Sequence, residues 1–581
     1  MDKRTIIGFI LIALIFYLWP HYMKLITGEK EVPRAPLEPQ AEVDTLRRPP
    51  PTVEETKEIP PPEAESKFLT LTQEGTLLEE KMVRVETELY SAEFSSRGGI
   101  LTSFSLKKYQ YSEGGNIQLL PPDQRQSALN LVFPDSNVSL EVFNFQVDRD
   151  QIDLDERNTA GSINFTFTTQ SGAQIIKRYN FFNGRYDFEM EFEIRGSDQL
   201  DMGRKYLLGW APGLNPTEKD RLDLLNRSIK NRKGDLDKFT AYSMMGAEFS
   251  DYKKFHQPKG AEVGILQEVA SGETRWVATR TKYFVAALVP LLRKGMGFSA
   301  SGKRSFTFSG EEQIENKRIG VFLEMPVEKT QILKDKFMIY VGPIQYHILK
   351  SYGVGLDRIV DLGWKIIRPF SIAIMWLFVK LNKIIPNYGL VIILFTILMK
   401  GAFHPLTRKS TKATLKMQEL QPKIAQLKER FKKDPARLNK ETMKLYKQSG
   451  VNPLGGCLPL LFQMPVFYGL FVVFRSTIEL RGAKFILWLT DLSQMDPFYV
   501  LPVIMAGTMF WQQKITIKDP KQAMLVYFMP ILFFFFFYSF PAGLTLYWTA
   551  FNALSLIETY YFKRKGLHPS AVAPQPAPSK G

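Results

Sequence analysis

The fold of this chain is decided by the stretch NYGLVIILFTILMKGAFHPL, residues 387–406. Its apolar run is close to the ~20 residues that a helix needs to cross a bilayer. The segment after it, residues 408–447, holds 13 Lys or Arg against four Asp or Glu. An apolar span followed by a basic loop is typical of a membrane helix whose basic end faces the cytoplasm. The stretch therefore predicts a membrane-spanning helix.

Four more apolar stretches follow toward the C-terminus and predict further membrane helices. They cover residues 454–474, 498–511, 524–540 and 544–562. The connections at 514–521 and 563–565 are basic, whereas 475–496 carries three positive and three negative residues. This pattern places the basic connections in the cytoplasm and the balanced one outside. We expect a five-helix core over residues 387–565 and a disordered tail over 566–581.

The N-terminus predicts a sixth membrane helix and a tether. Residues 5–19 are apolar and follow Asp2, Lys3 and Arg4, but no small-residue cleavage site comes after them. This pattern favours an uncleaved anchor over residues 1–27. Residues 28–67 contain nine prolines and many glutamates, which predicts a disordered linker.

The polar middle of the chain, residues 68–346, has the composition of a β-domain. Segments such as 187–194, DFEMEFEI, alternate apolar and polar residues with a period of two. Turn signals such as Asn183-Gly184 and Ser309-Gly310 recur without long amphipathic helices between them. We expect a large extracytoplasmic antiparallel β-sandwich here.

Residues 347–386 are expected to lead from this domain to the membrane core. Within them, residues 362–381 combine Trp364, Phe370 and Trp376 with Lys365, Arg368 and Lys380. Such a mixture suits an amphipathic helix that lies in the membrane interface. A true span is the alternative, and it would invert the topology of everything downstream.

Lys400 is the most informative single residue. It lies within an apolar span and eight residues before Arg408, about 12 Å along a helix. A cation at such a depth costs at least ~2.5–3.5 kcal/mol. A lysine that reaches back to the headgroups is the simple explanation. Because no other span shows an acidic residue at comparable depth, we expect a hydrated cavity rather than an ion pair.

The last span carries a polar stripe that supports such a cavity. Thr545, Thr549, Asn552, Ser555 and Thr559 are spaced to lie on one helical face. Interhelical hydrogen bonds would explain each residue equally well when it is taken alone. The combination with Lys400 favours a polar groove.

The basic segment has the pattern of a helical hairpin over residues 408–450. Leu420, Ile424 and Leu427 have helical spacing, Asp434-Pro435 interrupts it, and it resumes at 438–446. The basic face could bind anionic lipid, ribosomal RNA or a nascent chain, or could only fix the topology.

The sequence offers no catalytic constellation. Its five histidines are scattered and it has a single cysteine, Cys457. Neither metal-ligand spacing, a phosphate loop nor a nucleophile elbow is present. We therefore expect no catalytic residues, no metal site and no cofactor.

Four motifs resemble the YidC membrane-protein insertase family. They are LQPK at 420–423, NPLGGCLPLLFQMP at 452–465, DPFYVLP at 496–502 and FPAGL at 540–544. Their order and spacing match the family, and the anchor, linker and sandwich fit its Gram-negative type with a large periplasmic domain. The resemblance implies a polytopic α-helical protein of the bacterial inner (plasma) membrane with its β-sandwich in the periplasm.

The same resemblance implies a mechanism and a set of site residues. In the family a hydrophilic groove among five helices opens to cytoplasm and lipid, and a basic residue there attracts acidic groups of the client. Lys400 has that position, although the family more often has arginine. The other implied groove residues are Thr396, Gln463, Trp548, Thr549 and Asn552. The implied partners are nascent membrane proteins, the Sec translocon, ribosomes and the phospholipid bilayer.

Three other functions compete with insertion at this point. A small-molecule transporter would also need an intramembrane charge, but it usually shows paired repeats and interrupted helices. A carbohydrate enzyme or binding module would need a site on the sandwich, where His256 is the one histidine and no carboxylate constellation is evident. Nucleic-acid binding is disfavoured because the net charge of +16 is concentrated beside membrane spans.

Overall fold

The computed structural model describes residues 79–564 apart from 112–113, 121–126, 219–238, 257–262, 310–311, 433, 451–457 and 517–522. The predicted anchor, linker and C-terminal tail lie outside the described residues, and so does Cys457. All described strands and helices belong to one compact unit, residues 64–363 and 367–581.

The N-terminal part of the described chain is rich in β-structure. Its strands are β1 Met82–Glu86, β2 Tyr90–Ser95, β3 Ile100–Gln110, β4 Asn116–Gln118, β5 Ala128–Phe133, β6 Val138–Ser139, β7 Gln146–Val147, β8 Gln151–Asp153, β9 Ala160–Thr168, β10 Gln174–Phe182, β11 Asp187–Arg195, β12 Lys205–Trp210, β13 Thr240–Met245, β14 Glu248–Tyr252, β15 Gly264–Arg280, β16 Phe284–Pro290, β17 Gly295–Ser309, β18 Glu312–Pro326 and β19 Ile332–Pro343.

Strand β11 shows why these segments form a half-buried sheet. Phe188 and Phe192 are fully buried, whereas the intervening glutamates are partly exposed. Neighbouring β19 places Lys336 so that its Nζ lies 2.9 Å from a carboxylate oxygen of Glu189. The apolar face is therefore packed and the polar face carries cross-strand ion pairs.

The strands pair as expected and pack face to face. All pairings between described strands are antiparallel except that of β1 with β8. Phe94 of β2 lies 4.7 Å, between ring centroids, from Tyr179 of β10, although these two strands are not hydrogen-bonded neighbours. Rings that meet without strand pairing indicate two packed layers.

A buried lysine joins the layers at a tight loop. The Lys177 Nζ donates hydrogen bonds to the carbonyl oxygens of Gly98, Gly99 and Leu129 at 2.8, 3.1 and 2.9 Å. Burial lowers the pKa of Lys177 to about 7. Gly98 and Gly99 both have a positive φ, which turns their carbonyls toward this side chain and favours glycine at both positions.

The C-terminal part is helical. Its helices are α1 Tyr346–Ser351, α2 Arg368–Asn382, α3 Tyr388–Glu419, α4 Gln421–Arg430, α5 Pro435–Gln448, α6 Leu458–Ser476, α7 Val500–Thr516, α8 Ala523–Phe537 and α9 Ala542–Arg564. Each of the five predicted spans thus coincides with a helix, namely α3, α6, α7, α8 and α9.

The helix predicted to end near residue 406 continues to Glu419, which corrects the start of the expected hairpin. Pro405 is accommodated inside α3, and the basic residues after it are good helix formers. The two predicted arms of the hairpin exist as α4 and α5, which pack through Leu420, Ile424, Leu445 and Tyr446. The hairpin thus begins at residue 420 rather than at 408.

The connection from the strands to the helices packs on the β-structure. The Trp276 indole nitrogen donates to the Val354 carbonyl at 3.0 Å, and Arg280 Nη1 donates to the Ile359 carbonyl at 2.6 Å. The interfacial helix, predicted within residues 362–381, is α2. Its Phe370 and Trp376 are 41% and 51% exposed, which suits contact with lipid.

Candidate functional site

Lys400 lies on α3, and its side chain contacts three residues of α9. Its Nζ donates to the Ser555 Oγ at 2.6 Å and lies 3.0 Å from the Glu558 Oε2. The same ammonium is 4.8 Å from the centroid of the Phe551 ring. A hydroxyl, a carboxylate and an aromatic face together stabilise the cation.

The ion pair with Glu558 corrects the expectation that Lys400 has no acidic partner. Lys400 precedes Arg408 by eight residues and Glu558 precedes Lys563 by five, so on neighbouring helices the two side chains reach the same depth. Glu558 lies within the predicted last span, residues 544–562. Its side chain is only 19% exposed and that of Lys400 only 15%.

Glu558 also approaches a second basic side chain. The His404 Nδ1 lies 3.2 Å from the Glu558 Oε1. His404 and Glu558 were not predicted as site residues, and neither were Phe551 and Tyr547. Glu558 follows Ser555 by three residues and so continues the polar stripe, which is the signal that could have found it.

The predicted polar stripe is real and faces the helix bundle. Four of its members are buried, and they are Thr545, Thr549, Asn552 and Ser555. Thr549 and Ser555 donate their hydroxyl protons to backbone carbonyls four residues earlier, at 2.7 and 2.8 Å. Donation within the helix leaves the hydroxyl oxygens free to accept, as the Ser555 oxygen does from Lys400.

Asn552 differs from its neighbours because its amide nitrogen has no hydrogen-bond partner among the described residues. The residue is only 7% exposed. A buried amide without a partner costs about 1–3 kcal/mol. The position therefore suits a group that is paired with water or with a bound polar chain.

Thr396 and Gln463 bring polar groups to the same bundle from α3 and α6. Thr396 is fully buried and donates to the Ile392 carbonyl at 2.7 Å within its own helix. The Gln463 Nε2 donates to the Tyr547 hydroxyl of α9 at 3.3 Å. Tyr547 also stacks near Phe395 of α3, at 6.1 Å between centroids.

Trp548 lies in an aromatic cluster rather than beside Lys400. Its ring centroid is 5.2 Å from that of Phe467 on α6 and 5.6 Å from that of Phe537 on α8. The partly exposed indole therefore forms the apolar edge of the bundle, next to the polar stripe. Among the predicted residues, Lys400 contacts Ser555 of the polar stripe. Thr396, Gln463 and Trp548 lie one to two turns away from that contact, toward the N-terminal end of α9.

Burial along α3 is asymmetric. Val391, Ile392 and Phe395 are buried, and Thr396 is the last buried residue before Lys400. Residues 401 and 402 are exposed, as are 404 and 405. The bundle is thus packed around residues 391–396 of α3 and more open at residues 401–405.

The N-terminal ends of α3 and α9 are closed by tight packing. A Cβ at Gly389 would lie 2.0 Å from the Phe485 ring, and one at Gly543 would lie 2.6 Å from the Phe474 ring. The Asn387 amide donates to the Phe485 carbonyl at 3.2 Å. These contacts seal the end of the bundle that leads to the β-structure.

One helix of the described chain is long and apolar enough to cross a membrane by length and composition. It is the segment Tyr388–Pro405, with a mean hydropathy of 1.5, and Val526–Phe537 is a shorter apolar helix. Over the described ranges, no group of three or more His, Cys, Asp or Glu is placed to hold a metal ion.

Known proteins match the chain over its full length. The family model described as "YidC periplasmic domain" matches residues 82–376, and the family model described as "60Kd inner membrane protein" matches residues 380–568. The membrane protein insertase YidC of Prosthecochloris aestuarii is 33% identical over 100% of this chain and 99% of its own length. The chain belongs to the YidC membrane protein insertase family.

Other relatives agree. The YidC insertase of Syntrophus aciditrophicus is 31% identical over 97% of this chain and 100% of its own length. A crystal structure described as an active YidC insertase with the first transmembrane domain resolved covers 85% of this chain and 96% of its own, at 19% identity and a TM-score of 0.36. Membrane protein insertases are not enzymes. The predicted family and the non-enzymatic function are therefore confirmed, as is a membrane protein with a periplasmic domain.

Proposed function

We propose that this insertase passes polar segments of nascent membrane proteins through a groove between α3 and α9. The groove residues are Lys400, Thr396, Gln463, Trp548, Thr549 and Asn552. The observation that carries the proposal is the buried polar stripe of α9, which meets Lys400 directly before the exposed stretch of α3 at residues 401–405.

The groove acts by shortening the dry path across the bilayer. Unpaired polar groups cost several kcal/mol each, on the order of 2–7, in an apolar layer. The Asn552 amide nitrogen, which has no hydrogen-bond partner among the described residues, can donate to such groups, and the hydroxyl oxygens of the stripe can accept from them. The tight packing at Gly389 and Gly543 keeps the opposite end closed.

The proposal includes a topology with several membrane spans. Helices α3, α6, α7, α8 and α9 cross the inner membrane, and the basic hairpin α4–α5 lies in the cytoplasm. The domain bounds given above, from the anchor at 1–27 to the tail at 566–581, are part of the same proposal, with the hairpin starting at residue 420. Insertion proceeds alone or with the Sec translocon, and ribosomes bind at the basic hairpin.

The test uses a short client with an acidic external tail, added to liposomes that hold only this protein. Protection of the tail from external protease measures insertion. We expect the native protein to protect the tail and the Lys400→Glu variant to lose most of that protection, because the introduced carboxylate repels the acidic tail.

Lys440→Glu is the matched control, because it makes the same charge change at an exposed position on α5. It should insert the client as well as the native protein does. Protection no greater than that by empty liposomes would overturn autonomous insertion. Equal protection by native and Lys400→Glu proteins would remove Lys400 from client attraction.

A further inference from the structure

The charge of Lys400 is already neutralised within this chain. The Lys400 Nζ and the Glu558 Oε2 are 3.0 Å apart, and both side chains are mostly buried. An unpaired cation at this depth is costly, so Glu558 stabilises the empty bundle. A carboxylate therefore already occupies the place on Lys400 that an acidic client group would need.

The surroundings of the pair allow the carboxylate to be exchanged. An ammonium has three donor positions, and Ser555 and the Phe551 ring satisfy part of the cation independently of Glu558. The second oxygen of Glu558 lies 3.2 Å from the His404 Nδ1. This oxygen has no hydrogen-bond partner among the described residues, so when another carboxylate binds Lys400, Glu558 can turn to accept a hydrogen bond from the neighbouring His404 imidazole of α3.

We propose that Glu558 is a specificity-determining residue that competes with client carboxylates for Lys400. An acidic client segment can replace one carboxylate by another at little net electrostatic cost, whereas a neutral polar segment cannot break the pair in this way. The strength of the Lys400–Glu558 pair then sets how strongly the groove prefers acidic segments. This inference rests on the proposed function and adds the chemistry that regulates the same site.

The experiment measures a ratio of insertion rates in proteoliposomes that hold the full-length protein. Two clients are used, one with an acidic tail and one in which each Asp or Glu of the tail is replaced by Asn or Gln. Glu558→Gln keeps the shape of the side chain and removes its charge. We expect the ratio of acidic to neutral insertion to rise about threefold to tenfold in this variant, because the acidic client no longer competes with the partly buried Glu558 carboxylate.

Two further variants separate competition from general effects of charge. Glu248→Gln makes the same charge change at an exposed position on β14 and should leave the ratio as in the native protein. Glu558→Asp keeps the charge on a shorter side chain and should give an intermediate ratio. It also keeps the inference testable if Glu558→Gln does not fold.

A readout without any client tests the pair itself. Acylation of the Lys400 amine by a membrane-permeant reagent, followed by mass spectrometry, should be faster in Glu558→Gln than in the native protein, because the amine is no longer held in an ion pair with the Glu558 carboxylate.

An unchanged or lower ratio in Glu558→Gln and in Glu558→Asp overturns the inference, and so does an equal rise in Glu248→Gln. In these cases the proposed function stands if the native protein still inserts the acidic client. If the native protein inserts neither client, the proposed function itself is overturned.

Discussion

At the scale of the residue, the Asn552 amide is buried on α9, and its nitrogen has no hydrogen-bond partner among the described residues. A buried polar group without a partner lowers the free energy of unfolding unless water or a ligand forms the missing hydrogen bond. If the groove exists to receive polar chains, stability and insertion should respond oppositely to a substitution here.

Asn552→Leu tests this opposition. Leucine has the same number of side-chain heavy atoms in the same branched arrangement and removes the amide, so we expect the free energy of unfolding to rise by about 1 kcal/mol. Insertion of a client with a polar tail should fall, because the stripe loses a group that can bond to it. Thermal unfolding in detergent and the protease-protection assay measure the two effects.

The control for this pair of measurements is Tyr560→Leu, which introduces leucine at a site that is 63% exposed on the same helix. It should leave insertion unchanged. If Asn552→Leu raised stability without lowering insertion, the amide would be a packing defect and not part of a groove.

At the scale of the element, helix α3 combines a closed end and an open end. Gly389 lies where a Cβ would meet the Phe485 ring at 2.0 Å, whereas a Cβ at Gly401 would meet nothing within 4 Å. The same substitution at these two glycines should therefore have opposite effects on stability.

Gly389→Ala should destabilise the protein by about 1–3 kcal/mol, because the added methyl group displaces Phe485 and opens the sealed end of the bundle. Gly401→Ala is its matched control and should stabilise by up to about 1 kcal/mol through helix propensity alone. Denaturant unfolding of the two variants measures both effects. Stabilisation by Gly389→Ala would show that the end of the bundle is not tightly packed.

Helix α3 also shows how far the sequence predicts these elements. The apolar period located the helix at 387–406, but it could not place its end, because basic residues that leave the membrane continue a helix as well as apolar ones do. The polar stripe of α9 was predicted from spacing alone. Its pairing through Glu558 was not, because the depth of one side chain relative to another depends on how two helices pack.

At the scale of the whole molecule, Arg481 of the helical part forms polar contacts with the β-rich part. The Arg481 Nε lies 2.5 Å from a carboxylate oxygen of Glu218, and its Nη1 donates to the Gln110 carbonyl at 3.0 Å. A hydrogen bond of 3.3 Å joins the hydroxyls of Tyr283 and Ser493 nearby. The alternation of each strand predicted a β-domain, but contacts between residues 263 positions apart in sequence leave no local signal.

The contacts of Arg481 couple the unfolding of the two parts. Its side chain and that of Glu218 are only 10% and 12% exposed, and removal of one member of a buried pair costs about 3–5 kcal/mol. We expect Arg481→Ala to separate the thermal unfolding of the β-structure from that of the helices, so that one calorimetric transition becomes two.

Lys484→Ala removes an exposed cation from the same loop and should keep a single transition. Because Arg481 contacts Glu218 and Gln110, which are not groove residues, insertion by purified Arg481→Ala should persist at a temperature where both parts are folded. A single transition in Arg481→Ala would mean that apolar packing alone joins the two parts, and a loss of insertion there would mean that the β-structure acts on the groove.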